Sequence, residues 1–187
     1  TPSNSSAASD VYKRQPLALQ SEEKQVNAIL NVWFGGTEAG AAIADVLTGK
    51  VSPTGKLTMS FPRVTGQCPI YYNHKMTGRP MSPDAWYTRY VSNYIDVLNE
   101  PLYPFGYGLS YTTYTYGDVS LNTNSMDANG KIQASVIVTN TGAQDGEEIV
   151  QLYLRDIVRS ITPPVQELKG FKRVALKAGA VSYTHLT

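Results

Sequence analysis

The stretch from residue 28 to residue 62 constrains the fold of this sequence more than any other part. It opens with an apolar run, residues 29–34, whose length and β-branched or aromatic content suit a buried strand. Gly35 and Gly36 then demand a turn. Thr37 can cap the helix that follows, in which Ile43, Val46 and Leu47 fall at i, i+3 and i+4 on one face among good helix formers. Gly49 ends that helix, and residues 53–55 turn the chain into a second strand near residues 57–61. Strand, glycine turn, helix and strand make a βαβ unit. In open α/β sheets ligands gather outside the carboxyl ends of strands, which makes Gly35, Gly36, Thr37 and Glu38 candidate contacts. The competing reading is that Gly36 and Gly40 only let the helix pack against its strand. Neither nucleotide motif fits: there is no Gly-Lys-Ser/Thr, and Gly35-Gly36-Thr-Glu-Ala-Gly40 lacks the Gly-x-Gly-x-x-Gly spacing.

Composition narrows the partners. A net charge of +1 without a basic block argues against a nucleic-acid surface, and no apolar run reaches the roughly 18 residues that span a bilayer. With one cysteine, Cys68, there is no internal disulfide, and His74 and His185 form no metal-ligand pattern with it. Cys68 is expected to be a small buried hydrophobe. Residues 62–102 are broken by Gly66, Pro69, Gly78, Pro80, Pro83 and Pro101, so a long ordered loop is expected. Its Tyr71, Tyr72, His74, Arg79, Trp86, Tyr87, Tyr90 and Tyr94 mix rings with hydrogen-bonding groups, as sugar binding requires. The plainer and favoured role for most of the rings is packing. Arg79 is the best candidate for an outer substrate contact, against an equal claim that it forms a surface salt bridge.

Beyond Ser110 the period changes to two. Ile132, Ala134, Val136 and Val138 alternate with Lys131, Gln133, Ser135 and the outlier Ile137, and Val150, Leu152 and Leu154 alternate with Gln151, Tyr153 and Arg155; residues 111–121 and 171–176 add further strands. Residues 124–130, 140–146 and 161–164 are rich in turn formers. The spacing suits an antiparallel sandwich, with about four of the usual ~7 strands, hence incomplete and with an exposed apolar edge.

Trp33-Phe-Gly-Gly-Thr-Glu-Ala-Gly40, Ala42-Ile-Ala-Asp-Val-Leu-Thr-Gly49 and Ser52-Pro-Thr-Gly-Lys-Leu57 resemble the end of the α/β sandwich domain of family 3 glycoside hydrolases. Pro69-Ile-Tyr-Tyr-Asn-His-Lys-Met-Thr-Gly-Arg-Pro80, Leu102-Tyr-Pro-Phe-Gly-Tyr-Gly-Leu-Ser-Tyr111 and Val165-Gln-Glu-Leu-Lys-Gly-Phe-Lys-Arg173 extend the resemblance, in the same order, from Pro16 to Ala180. The fold class it implies is an α/β segment followed by a truncated, all-β immunoglobulin or fibronectin III-like sandwich. The expected divisions are a non-native tail over residues 1–15, the end of the α/β domain over 16–62, a loop and interdomain connection over 63–109, an incomplete fibronectin III-like domain over 110–180, and a second non-native tail over 181–187. Both tails depart from the family pattern and are expected to be cloning, assembly or read-through scars; the first lacks the charged start and apolar core of a secretory signal.

Glycoside hydrolysis usually needs two carboxyl groups flanking the bond, held about 5–5.5 Å apart in retaining enzymes. The resemblance implies an aspartate nucleophile in an N-terminal barrel and a glutamate acid/base in a loop before Pro16, so no catalytic residue is expected in this chain. Glu38, His74 and Arg79 are the candidate substrate contacts; no metal and no organic cofactor is implied. The loop from His74 to Pro80 would lie near an active-site mouth, its own or that of a partner in a homodimer. The resemblance further implies a parent that hydrolyses terminal β-glucosides of oligosaccharides, is periplasmic or secreted, and supplies the missing barrel as partner. Alternatives are a β-xylosidase or broader exo-glycosidase, and a non-catalytic carbohydrate-binding or adhesive module.

Overall fold

Helix and turn fall where glycine and alanine put them, but the flanking strands do not. The computed structural model describes residues 15–81, 88–158 and 160–186. Trp86, Tyr87 and almost all of the expected N-terminal tail lie outside them. Two units are distinguished: one holds the described residues up to Asp45 with Leu57–Tyr107 and Ser160–Val165, the other Val46–Lys56, Gly108–Arg159 and the chain from Gln166 onward.

The first unit begins with a one-turn helix, α1 (Gln20–Glu23), followed by α2 (Ala39–Leu47), which runs on into the second. Ala42 N donates to Glu38 O at 3.1 Å, so α2 starts two residues after Thr37. It ends as expected: Gly49, at φ 75°, takes the left-handed conformation and donates to Val46 O at 3.0 Å. The two expected strands of the βαβ unit are a correction. A strand is the property of a pair, and none of the described strands or isolated bridges includes residues 29–33. Residues 57–61 form only an irregular ladder with 102–107. There Phe61 N donates to Tyr103 O at 2.8 Å, Leu57 N to Tyr107 O at 2.8 Å, and Gly106 N to Leu57 O at 2.7 Å.

Rings fill this unit. Trp33 packs on Phe61 at 5.8 Å between centroids, Phe61 on Tyr103 at 6.4 Å, and Tyr103 stacks on Tyr107 at 5.3 Å. Burial pushes the Tyr103 hydroxyl above its usual pKa, with the charge of Glu23 adding to the effect. The loop after Pro62 turns through a short 3₁₀ segment, Thr65–Gln67, and is held by the almost fully buried Gln67. Its amide oxygen accepts from Arg63 N at 2.6 Å, and its amide nitrogen donates to Leu98 O at 2.8 Å. Gln67 takes the inward position of this turn and the next residue points out. Cys68, expected to be buried, is exposed.

In the second unit, alternation produces a sandwich. The strands are β1 (Tyr114–Tyr116), β2 (Ser120–Leu121), β3 (Ala134–Asn140), β4 (Gly146–Leu154), β5 (Glu167–Leu176) and β6 (Val181–Leu186). One sheet places β1 and β2 along one edge of β3 and β6 along the other; the second is the β4–β5 hairpin, and every pairing is antiparallel. Residues 111–121, expected as one strand, are thus two short ones. Residues 181–186, expected to belong to a non-native tail outside the domain, pair along β3 from Ala134–Leu186 to Thr139–Val181. The core forms from Val138, Val150, Val174 and Leu176, with Tyr114, Val136, Ala180 and Leu186 packed around it.

Residues 46–56 belong to this unit by their contacts. Tyr111 Oη donates to Val46 O at 2.8 Å, the Ser52 and Ser110 hydroxyls lie 2.8 Å apart, and Lys56 Nζ donates to Gly108 O at 2.9 Å. Lys56 also pairs with the buried Glu148 carboxylate at 3.1 Å, which accepts from Tyr116 Oη at 2.8 Å. Desolvation of that hydroxyl, followed by its bond to Glu148 and the carboxylate's charge, pushes the Tyr116 pKa well above the ordinary value of 10.0. The folded state therefore holds this phenol neutral. Its contribution is whole below pH ~10 and is lost as pH rises through the folded pKa, because the unfolded chain releases the proton first. The urea midpoint of the sandwich is expected to fall between pH 9 and 11 by more in the wild type than in Tyr116→Phe. Equal falls would show that the phenol carries none of the dependence.

Candidate functional site

Glu38, His74 and Arg79, the candidate substrate contacts, are all exposed, and no hydrogen bond or ion pair among the described residues joins any two of them. Glu38 sits at the start of α2, where its carbonyl accepts the first helical hydrogen bond and a negative side chain suits the helix dipole. His74 holds its Nδ1 3.0 Å from Lys75 O, and its carbonyl accepts from Val165 N at 2.9 Å. Beside it, Lys75 bridges Pro164. Arg79 is fixed through its backbone: its carbonyl accepts from Ser92 N at 2.8 Å, and Pro80 bridges Ser92. The loop is therefore ordered by its main chain, which leaves the His74 and Arg79 side chains to face outward.

The aromatic residues divide in use. Tyr72 stacks on Phe105 at 4.1 Å and is a packing residue. Tyr94 is also tied in, with its hydroxyl donating to Gln67 O at 3.3 Å. Tyr71 (60% exposed) and Tyr90 (81% exposed) are presented to solvent, Tyr90 from a left-handed backbone at φ 66°. An open cleft of about 420 Å³ lies between Met59, Pro69, Ile70, Tyr71, Asn73 and Phe105. Its lining is largely apolar and carries no carboxylate. Such a surface can hold a ring face and offer the Asn73 amide beside it; it cannot transfer a proton to a glycosidic oxygen.

Several carboxylates elsewhere are engaged structurally. Glu147 pairs with Arg173, Glu148 with Lys56, and Glu167 with Lys169 at 3.0 Å. Among the described residues no group of three or more His, Cys, Asp or Glu is placed to hold a metal, and no helix is long and apolar enough to cross a membrane. Sequence reasoning missed the two polar residues that organise the loops, Gln67 and Asn140. Asn140 opens an Asn-Thr-Gly turn, the one local signal that could have revealed it.

The comparisons with known proteins agree in direction. The profile of the glycosyl hydrolase family 3 C-terminal domain matches residues 7–111, and that of the fibronectin type III-like domain matches residues 148–187. The periplasmic β-glucosidase of Salmonella typhimurium is 54% identical over 165 residues, and a β-xylosidase of Formosa agariphila is 45% identical over 165; each match covers 88% of this chain. Among solved structures, the β-glucosidase of Listeria innocua in complex with glucose superposes with a TM-score of 0.87 at 44% identity, over 92% of this chain and 24% of that one. The chain spans about a fifth of the two curated relatives, 21% and 22%. Its α/β segment followed by a fibronectin III-like sandwich is the carboxyl-terminal architecture these profiles describe, and the chain belongs to glycosyl hydrolase family 3.

Proposed function

We propose that this chain is the C-terminal part of a retaining, exo-acting β-glucosidase that removes terminal β-D-glucosyl residues from oligosaccharides. The observation that carries the reading is the 54% identity to a periplasmic β-glucosidase, sustained over 88% of the chain. In this reading the nucleophile and the acid/base lie N-terminal to residue 16, and this chain supplies outer contacts through Glu38, His74 and Arg79. The parent is exported, as the printed name of the Salmonella relative supports. Neither metal nor organic cofactor is needed, since carboxylates alone perform the two displacements.

Two consequences are measurable. The chain alone should release no nitrophenol from 4-nitrophenyl β-glucoside above the buffer rate, while the intact parent should turn it over; activity of the chain alone would sink the division of labour. In the intact parent, Arg79→Ala is expected to raise KM for cellobiose about tenfold with kcat within about twofold, the pattern of lost binding shared equally by ground and transition states. A β-xylosidase is the second reading, favoured by the 45% identity to the Formosa enzyme. A higher kcat/KM for the aryl β-xyloside than for the glucoside would select it. An intact parent inactive on both would favour a carbohydrate-binding or adhesive module, and sedimentation of that parent decides whether it is a homodimer.

A further inference from the structure

Asn129 stands directly before Gly130, and every other asparagine of the chain is followed by a residue that carries a Cβ. The pair lies in the connection between β2 and β3. There Gly130 N donates to Asp127 O at 2.8 Å, closing a four-residue turn with aspartate first and glycine last, the residues favoured at those positions of the commonest turn. Space requires the glycine: a Cβ on residue 130 would lie 2.9 Å from Met126 Cβ and 3.1 Å from Asp127 O. The same missing Cβ leaves the Gly130 nitrogen unhindered toward the side chain before it. Asn129 is exposed, and no hydrogen bond among the described residues holds its amide. Asparagines elsewhere are tied in place. Asn122 Oδ1 accepts from Gln133 N at 2.7 Å, and Asn99 Nδ2 donates to Ser92 O at 2.8 Å.

We propose that Asn129 is a self-modifying site, converted by water alone to aspartate and isoaspartate. Gly130 N gives up its proton and attacks Asn129 Cγ. The bond between Gly130 N and Cγ forms, the bond from Cγ to Nδ2 breaks, and Nδ2 leaves with a proton as ammonia. Water then opens the cyclic imide. Attack at Cγ restores the original backbone and leaves aspartate; attack at the main-chain carbonyl carbon of residue 129 moves the peptide link to Cγ and leaves isoaspartate. The balance is one ammonia out and two waters' worth of nothing more than a single water in, with no change of oxidation state. The hydrogen bond to Asp127 O slows the first step by holding the proton of the attacking nitrogen, but a turn at the surface opens at little cost. Either product adds a negative charge two residues from Asp127, and isoaspartate also lengthens the main chain between β2 and β3 by one carbon.

The test is incubation of the folded chain in buffer, followed by digestion and fragmentation mass spectrometry that places the amide-to-acid mass gain on individual residues. An isoaspartate-specific carboxyl methyltransferase with labelled S-adenosylmethionine is the probe for the rearranged product. Residue 129 is expected to convert about tenfold faster than any other asparagine, because only its attacking nitrogen is free of a neighbouring Cβ. The rate should rise about tenfold from pH 7 to pH 9, since the ring closes through the deprotonated nitrogen. Asn129→Gln, at an exposed turn position, should leave the circular dichroism unchanged and remove most of the methyl labelling, because its longer side chain closes the ring poorly. Conversion confined to the urea-unfolded chain would overturn the proposal, since the turn would then protect its asparagine. Conversion spread evenly over the asparagines, or labelling undiminished in Asn129→Gln, would overturn it as well.

Discussion

Asn140→Ala is expected to destabilise the sandwich by about 4 kcal/mol, most of the stability of a unit at the low end of the ordinary range. The side chain is fully buried at the end of β3 and uses all its capacity. Its amide oxygen accepts from Thr112 Oγ1 at 2.6 Å and Gly142 N at 3.1 Å; its amide nitrogen donates to Gln144 O at 2.8 Å and Leu176 O at 3.1 Å. Truncation strands these partners where water reaches them poorly, and each buried orphan costs roughly 1–3 kcal/mol. Asn140→Asp keeps the shape but loses both donors and sets a charge against two carbonyls, so it should act in the same direction. The measurement is the urea midpoint followed by circular dichroism; a change below about 1 kcal/mol would show that the turn re-forms its bonds without Asn140.

Gln67→Leu should do to the first unit what Asn140→Ala does to the second, at roughly 3 kcal/mol. The substitution nearly preserves volume, so the loss is one of hydrogen bonds rather than packing. Arg63 N and Leu98 O would lose partners at 2.6 Å and 2.8 Å, and the weaker bonds to Val64 N and Glu100 O, both 3.4 Å, would go with them. Trp33, packed on Phe61, lies in this unit, so its emission, read in a Trp86→Phe background, follows the unit's unfolding apart from that of the sandwich. An unchanged emission midpoint would mean that the 63–67 turn is held by its backbone alone.

These residues mark the limit of what the sequence discloses. Helix α2 was legible because alanine content and Gly49 act locally, and β3 because its apolar alternation survives in the fold. Residues 29–34 read as a strand on composition, yet a strand exists only with a neighbour. The last strand was hidden for the opposite reason. In β6 the inward positions include Thr184, 1% exposed, while Tyr183 faces out at 70%, so the apolar pattern points the wrong way. Gln67 gave no signal, because whether a glutamine is solvated or buried with four partners depends on residues 31 and 33 positions away. The candidate site shows the same division. The motifs around Glu38, His74 and Arg79 were recognisable as strings, but that Tyr72 is consumed by Phe105 while Tyr71 stays open is decided only by packing.

The clamp of residues 46–56 onto the sandwich has a consequence in time. Lys56 leaves the ribosome about ninety residues ahead of Glu148, the carboxylate that receives it. At synthesis rates of roughly 5–20 residues per second, that interval is on the order of 5–20 s. For that period the ammonium and the carbonyls of this stretch must be served by solvent or by a chaperone. The second unit therefore cannot close around Lys56 until Glu148 has been made; its first-made piece waits, and a pause in translation between the two would lengthen the exposure directly.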